Sequence, residues 1–163
     1  MGHPKKQRKK YESPGKPYDK TRIEKEKRVK ENFGLRRKKE IRRAESMLRQ
    51  FRRRARELQA RRNEKEEAVL LATVNNIGIK CQNLENVLEV SLDDMLSRRL
   101  QTIIQKKGLA NTMTHARQLV AHGHISVGGK RIMYPGYIVS VDEDEKITLN
   151  PRIKLKAEEK KDE

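Results

Sequence analysis

The apolar residues of this chain keep a helical spacing as far as Val120 and then change period. Ala116, Leu119 and Val120 form the last helical set. Beyond Gly123, Ile125 and Val127 alternate with polar neighbours, as a half-buried strand does. Gly128-Gly129 permits a two-residue hairpin turn in which both residues take positive φ, and Arg131 to Met133 return. A chain that is helical first and closes on a hairpin is expected to be α+β, with its sheet confined to the end.

The upstream helices can be read one by one. A first helix is expected from Asp19 or Thr21, carrying Ile23, Val29 and Phe33 and ending at Gly34. In the next, Ile41, Ala44, Leu48, Phe51, Ala55 and Leu58 follow at steps of three and four, one apolar stripe on one helix. The stripe is most simply core; a coiled-coil seam is the alternative, with few heptads behind it. Residues 64–77 read as a third helix with acids at its positive end, closed by Gly78. LENVL (84–88) reads as a short helical turn within a connection. Ser91 then serves as N-cap with Asp94 as a weak capping box. Leu92, Met95, Leu96, Leu100, Ile103 and Ile104 mark the buried side of one helix that ends at Gly108. Thr112 or Thr114 caps the next, which ends at Gly123. Tyr137 to Val141 and Lys146 to Leu149 read as strands around an acidic turn, 142–145.

Charge narrows the choice of partner. The formal net charge is +17, and residues 1–62 hold 25 Lys/Arg against 8 Asp/Glu. The remainder balances at 15 and 15, yet Met95 to Val141 contains no Asp or Glu. So one-sided an excess cannot be paired internally and points to a polyanion. Arg36, Arg37, Arg42, Arg43, Arg49, Arg52, Arg53 and Arg56 lie off the apolar stripe. Such a helix repels itself along its length and is expected to be held by its partner. The apolar face of a membrane-surface helix is missing, and no 18-residue apolar run offers a span. Residues 1–20, with Pro4, Pro14 and Pro17, read as a basic extension too polar to order alone.

Catalysis finds no support. His115, His122 and His124 lie close in sequence without the spacing or companion ligands of a metal site, so contact with phosphate or ribose, or with a backbone carbonyl, is the better reading. The one cysteine, Cys81, excludes an internal disulfide and reads as a small buried hydrophobe. There is no phosphate-binding Gly loop and no nucleophile elbow. Neither an enzyme, a cofactor, a metal nor a small-molecule substrate is expected.

RRLQ, KKGLA, ARQLV, HGHI and VGGK, in this order from Arg98 to Lys130, resemble the RNA-binding domain named after small-subunit ribosomal protein four, the S-four domain. RRAESMLRQFRRRARELQA (42–60) and KYESPGKPYDKTRIEKEKRVKENFGL (10–35) resemble the archaeal branch of that ribosomal family. Two departures stand out: Gly128-Gly129 replaces the usual Asn-Gly turn, and Gly136 replaces a frequent Ser.

The resemblance implies a small, strongly bent sheet and four regions: a 1–20 extension, a 21–90 helical rRNA-binding region, a 91–150 S-four-type domain and a 151–163 charged tail. It implies a structural constituent of the small ribosomal subunit, cytoplasmic and within the ribosome, that binds small-subunit rRNA at a 5′-domain helix junction beside other ribosomal proteins and nucleates assembly. A pre-rRNA processing factor carrying the same domain is the alternative. The RNA-facing positions it implies are Arg98, Arg99, Lys106, Lys107, Thr112, Arg117, Gln118, His122, His124, Lys130 and Arg131. The bland alternative for Arg98 or Arg99 is an ion pair with Asp93 or Asp94. With few aromatics, recognition is expected through backbone shape, by phosphates and 2′-hydroxyls.

Overall fold

The computed structural model describes residues 9–150. Within them the chain forms two compact units, one of residues 9–74 and 79–96, the other of residues 75–78 and 97–150.

The first unit is helical. Asp19 caps α1 (Lys20–Asn32), its carboxylate accepting from the Thr21 amide at 3.1 Å. Gly34 (φ 55°) turns the chain out of that helix. α2 (Lys38–Arg61) buries Ile41, Leu48, Ala55 and Leu58, the inner line of the expected stripe. That stripe packs on α1 and on α4 (Leu84–Glu89). Ile41 also meets Leu35 and Leu96, with Val29, Phe33, Ala44 and Leu92 around them. The cationic helix is therefore held on its apolar side by its own chain. α3 (Glu64–Asn76) places Glu64, Glu66 and Glu67 in its first turn, where the helix dipole favours them.

The sequence suggested one helix from Leu92 to Lys107, and the structure has two. α5 (Leu92–Ser97) carries the Ser91–Asp94 capping box, with the Ser91 amide donating to Asp94 at 2.9 Å. α6 (Leu100–Lys106) starts afresh after Arg99, whose backbone is extended (φ −73°, ψ 142°). The interruption frees backbone groups at 98–100 to bond elsewhere. The Leu100 amide donates to the Tyr137 carbonyl at 2.8 Å, and the Val139 amide to the Arg98 carbonyl at 3.0 Å.

The rest of the second unit is a small α+β domain. Thr112 caps α7 (Met113–Ala121) by accepting from the His115 amide at 3.1 Å. β1 (Ile125–Val127) and β2 (Lys130–Arg131) form the expected hairpin, with Gly128 and Gly129 at φ 55° and 78°. The sheet is antiparallel in the order β2-β1-β3, β3 being Ile147–Leu149. One core joins Leu100, Ile104, Ala116, Val120, Ile125, Val139 and Ile147. Tyr137 to Val141, expected as a strand, contributes a single bridge, Ile138 to Arg99. The expected acidic turn is a helical turn, α8 (Val141–Asp144), because Ser140 and Glu143 form a capping box that starts it.

Gly78 (φ 91°) ends α3 with the Arg98 side chain lying against it. A Cβ there would stand 2.6 Å from the guanidinium carbon. Gly78→Ala should therefore destabilise the protein beyond the left-handed penalty alone, by about 2–3 kcal/mol. Urea denaturation measures it; a change within about 0.5 kcal/mol would show that Arg98 yields freely.

Candidate nucleic-acid interface

The cations of the second unit divide into those held by the fold and those left at its surface. Arg98 is held. Its Nε donates to the Ile77 carbonyl at 2.7 Å, Nη1 to Asp144 Oδ2 at 3.0 Å and Nη2 to the Val139 carbonyl at 3.3 Å. The alternative of an ion pair is realised for Arg98, but with Asp144 and not with Asp93 or Asp94, because the break before α6 turns Arg98 toward residues 139–144. Arg99 is buried at 6 % exposure, with its guanidinium 3.5 Å from where a Cβ of Gly136 would stand. Lys107 joins Arg98 on Asp144, Nζ to Oδ1 at 3.2 Å, and also donates to the Asp144 carbonyl.

Burial of the Asp144 carboxylate opposes its ionisation, yet hydrogen bonds from Arg98 and Lys107 outweigh that and hold its pKa below the ordinary aspartate value. Beside it, Tyr137 donates to Glu143 at 2.8 and 2.9 Å. Burial likewise opposes ionisation of Glu143, and the Tyr137 and Ser140 bonds bring its pKa down. The same bond, with burial, pushes Tyr137 up.

The surface set is different. Lys106, Thr112, Gln118, His122, Lys130 and Arg131 are exposed. No hydrogen bond or ion pair holds the Lys106 or Lys130 side chain among the described residues. Gln118 on α7 and His122 at its C-cap lie one turn apart. Arg131 reaches back across the hairpin and donates to the His122 carbonyl at 2.8 Å. The His122 and His124 rings stack with centroids 6.1 Å apart. These four are brought together; nothing joins Lys106 to them.

Arg117 stands between the two classes. Gln101, buried at 1 % exposure, donates to the Met113 carbonyl at 2.9 Å and accepts from Arg117 Nη1 at 3.3 Å. Sequence reasoning missed Gln101. Its one signal was a polar residue among Leu100, Ile103 and Ile104 on the buried side of α6. Among the described residues no group of three His, Cys, Asp or Glu is placed to hold a metal ion.

In the first unit, Arg36, Arg37, Arg43, Arg49, Arg53 and Arg56 are exposed and Arg42 and Arg52 half-buried. Arg52 is used internally, donating to the Val90 carbonyl at 2.6 Å. Arg49 pairs with Glu12 at 3.2 Å and Arg53 with Glu57 at 2.9 Å.

Residues 98–145 match the family model described as the S4 domain. The chain is 48 % identical to the small ribosomal subunit protein uS4 of Ignicoccus hospitalis, over 93 % of this chain and 94 % of that protein. It is 45 % identical to the protein of the same name from Methanothermobacter thermautotrophicus, over 96 % and 94 %. The chain belongs to the uS4 family. A third uS4 relative, from Saccharolobus islandicus, is 47 % identical over 88 % of this chain and 83 % of its own length. The expected archaeal kinship therefore holds across both units. It covers the arginine-rich α2 as well as the S4 domain, so the two halves are read together as uS4 halves.

Arg98→Gln should cost about 1–3 kcal/mol, since it removes the charged hydrogen bonds that join a half-buried carboxylate to the Ile77 and Val139 carbonyls. Lys106→Gln should cost under about 0.5 kcal/mol by the same urea titration. Because the folded Asp144 is more acidic than the unfolded one, its contribution is full above the unfolded value, about 3.9, and is lost as pH falls through the lower folded value. Stability measured from about pH 5 downward should fall less steeply in Asp144→Asn than in the parent. An equal slope would mean that the pair contributes nothing.

Proposed function

We propose that this protein is a structural constituent of the small ribosomal subunit that binds its rRNA. What carries the reading is a uS4 kinship over 93 % of the chain, in which the S4 domain leaves Lys106, Gln118, His122, Lys130 and Arg131 exposed. Residence in the ribosome follows from that role. Neighbouring ribosomal proteins, the 5′-domain helix junction and a part in nucleating assembly belong to the same proposal. A pre-rRNA processing factor is not favoured by relatives of this name and coverage.

The physical division of labour is simple. Phosphate oxygens are met by Lys106, Lys130 and Arg131, by Arg117 as Gln101 orients it, and by the exposed arginines of α2. Gln118, His122 and His124 supply hydrogen bonds to ribose or phosphate. Thr112 is used first as the cap of α7, so its contribution is to set that helix. Arg98, Arg99 and Lys107 act through the fold, keeping α6 and residues 137–144 together. An Arg98→Glu change would set two carboxylates side by side and would therefore test folding, not the RNA surface.

Lys106→Glu with Lys130→Glu should weaken binding to a 5′-domain fragment of small-subunit rRNA. It should also flatten the dependence of log affinity on log salt by roughly 0.7–0.9 for each phosphate no longer neutralised. Circular dichroism and urea stability should stay at parental values. Unchanged affinity and slope, with the fold intact, would remove these positions from the interface.

A further inference from the structure

α2 carries more arginine than one phosphate tract uses, and its helical spacing sorts that arginine. Successive residues turn by about 100°. Arg42, Arg49 and Arg56, spaced by seven, form one row along the helix. Arg43, Arg54 and Arg61 form another. The buried line of Ile41, Leu48, Ala55 and Leu58 and these two rows lie roughly 120° apart around the axis, like the three edges of a prism. Between the rows run Lys39 in the first turn and then Ser46, Gln50 and the Arg53–Glu57 ion pair at 2.9 Å, so beyond that first turn the crest carries no surplus charge.

The rows are open. Five of the six arginines are exposed and Arg42 is half-buried. No hydrogen bond or ion pair holds the Arg43, Arg54 or Arg61 side chain among the described residues. Arg49 has only a surface pair with Glu12, which is easily exchanged for another anion. The apolar edge is already covered within the first unit, so both cationic edges are left for partners.

One flat phosphate tract laid on such a helix would neutralise a single row, or would sit over the crest between them and miss both. From these spacings we infer that α2 lies between two phosphate backbones of RNA, each row engaging its own. This rests on the rRNA-binding reading above and adds Arg54 and Arg61 to the residues that serve it. The rows extend about 20–27 Å at 1.5 Å per residue and stand roughly 10 Å apart. Two backbones converging at that separation are found across a groove or where two RNA helices meet.

Hydroxyl-radical footprinting of the full chain on small-subunit rRNA tests this with two triple variants. Arg42→Gln/Arg49→Gln/Arg56→Gln should abolish protection of one tract and leave the second. Arg43→Gln/Arg54→Gln/Arg61→Gln should do the reverse. Each should flatten the log–log salt slope by roughly 2–3, the three phosphates released. Tracts on opposite strands of one helix, or on two separate helices, both support the inference and tell the two sources apart. Loss of the same tract in both variants, or of neither, overturns it. If the parent protein protects no small-subunit rRNA at all, the broader reading fails with it; a single tract protected by the parent overturns only the two-backbone arrangement.

Discussion

Asp144 receives Arg98 at 3.0 Å and Lys107 at 3.2 Å, and much of the second unit hangs from that junction. It ties the turn of α8 to both ends of α6. It also fixes Arg98 where its other nitrogens reach the carbonyls of Ile77 and Val139. A carboxylate so surrounded stays ionised against the cost of its burial. In a domain with so few acids, this one anion turns two cations, Arg98 and Lys107, to internal use.

The same sorting occurs in the first unit by different means. α2 would repel itself along its length if it stood alone. Its apolar edge is covered by α1 and α4, and isolated acids, Glu12 and Glu57, temper particular arginines. Glu26, buried at 5 % exposure, meets Lys38 at 3.2 Å and Arg22 at 3.7 Å, pinning the start of α2 to α1. The helix is thus shaped by its own chain. On the proposed rRNA-binding reading its exposed charge is left for phosphate, which is why salt should govern its affinity so strongly.

Local chemistry was legible in the residues; long-range pairing was not. Asp19, Gly34, the stripe of α2, Thr112 and the Gly128-Gly129 turn announce themselves because caps, periods and positive φ are set by neighbours. The break at Arg98-Arg99 is not announced. Nothing between Leu92 and Lys106 disfavours a continuous helix, and the interruption is driven by hydrogen bonds to residues some forty positions on, at 137 and 139. The same ignorance of distant partners hid Asp144 as the mate of Arg98 and Gln101 as the support of Arg117. Ser140 and Glu143 have the spacing of a capping box, but within a run of four acids that spacing is indistinguishable from a solvated turn. Residues 1–8 and 151–163, part of the expected extension and the whole expected tail, lie outside the described residues.

β2 is two residues long, and both are cations. It forms an outer edge of the sheet, where unpaired backbone groups invite another chain to add a strand. Lys130 and Arg131 make that docking unfavourable, since a second copy would bring like charges together. The two side chains that the proposed function assigns to phosphate therefore also disfavour pairing of this edge with a second copy of the chain.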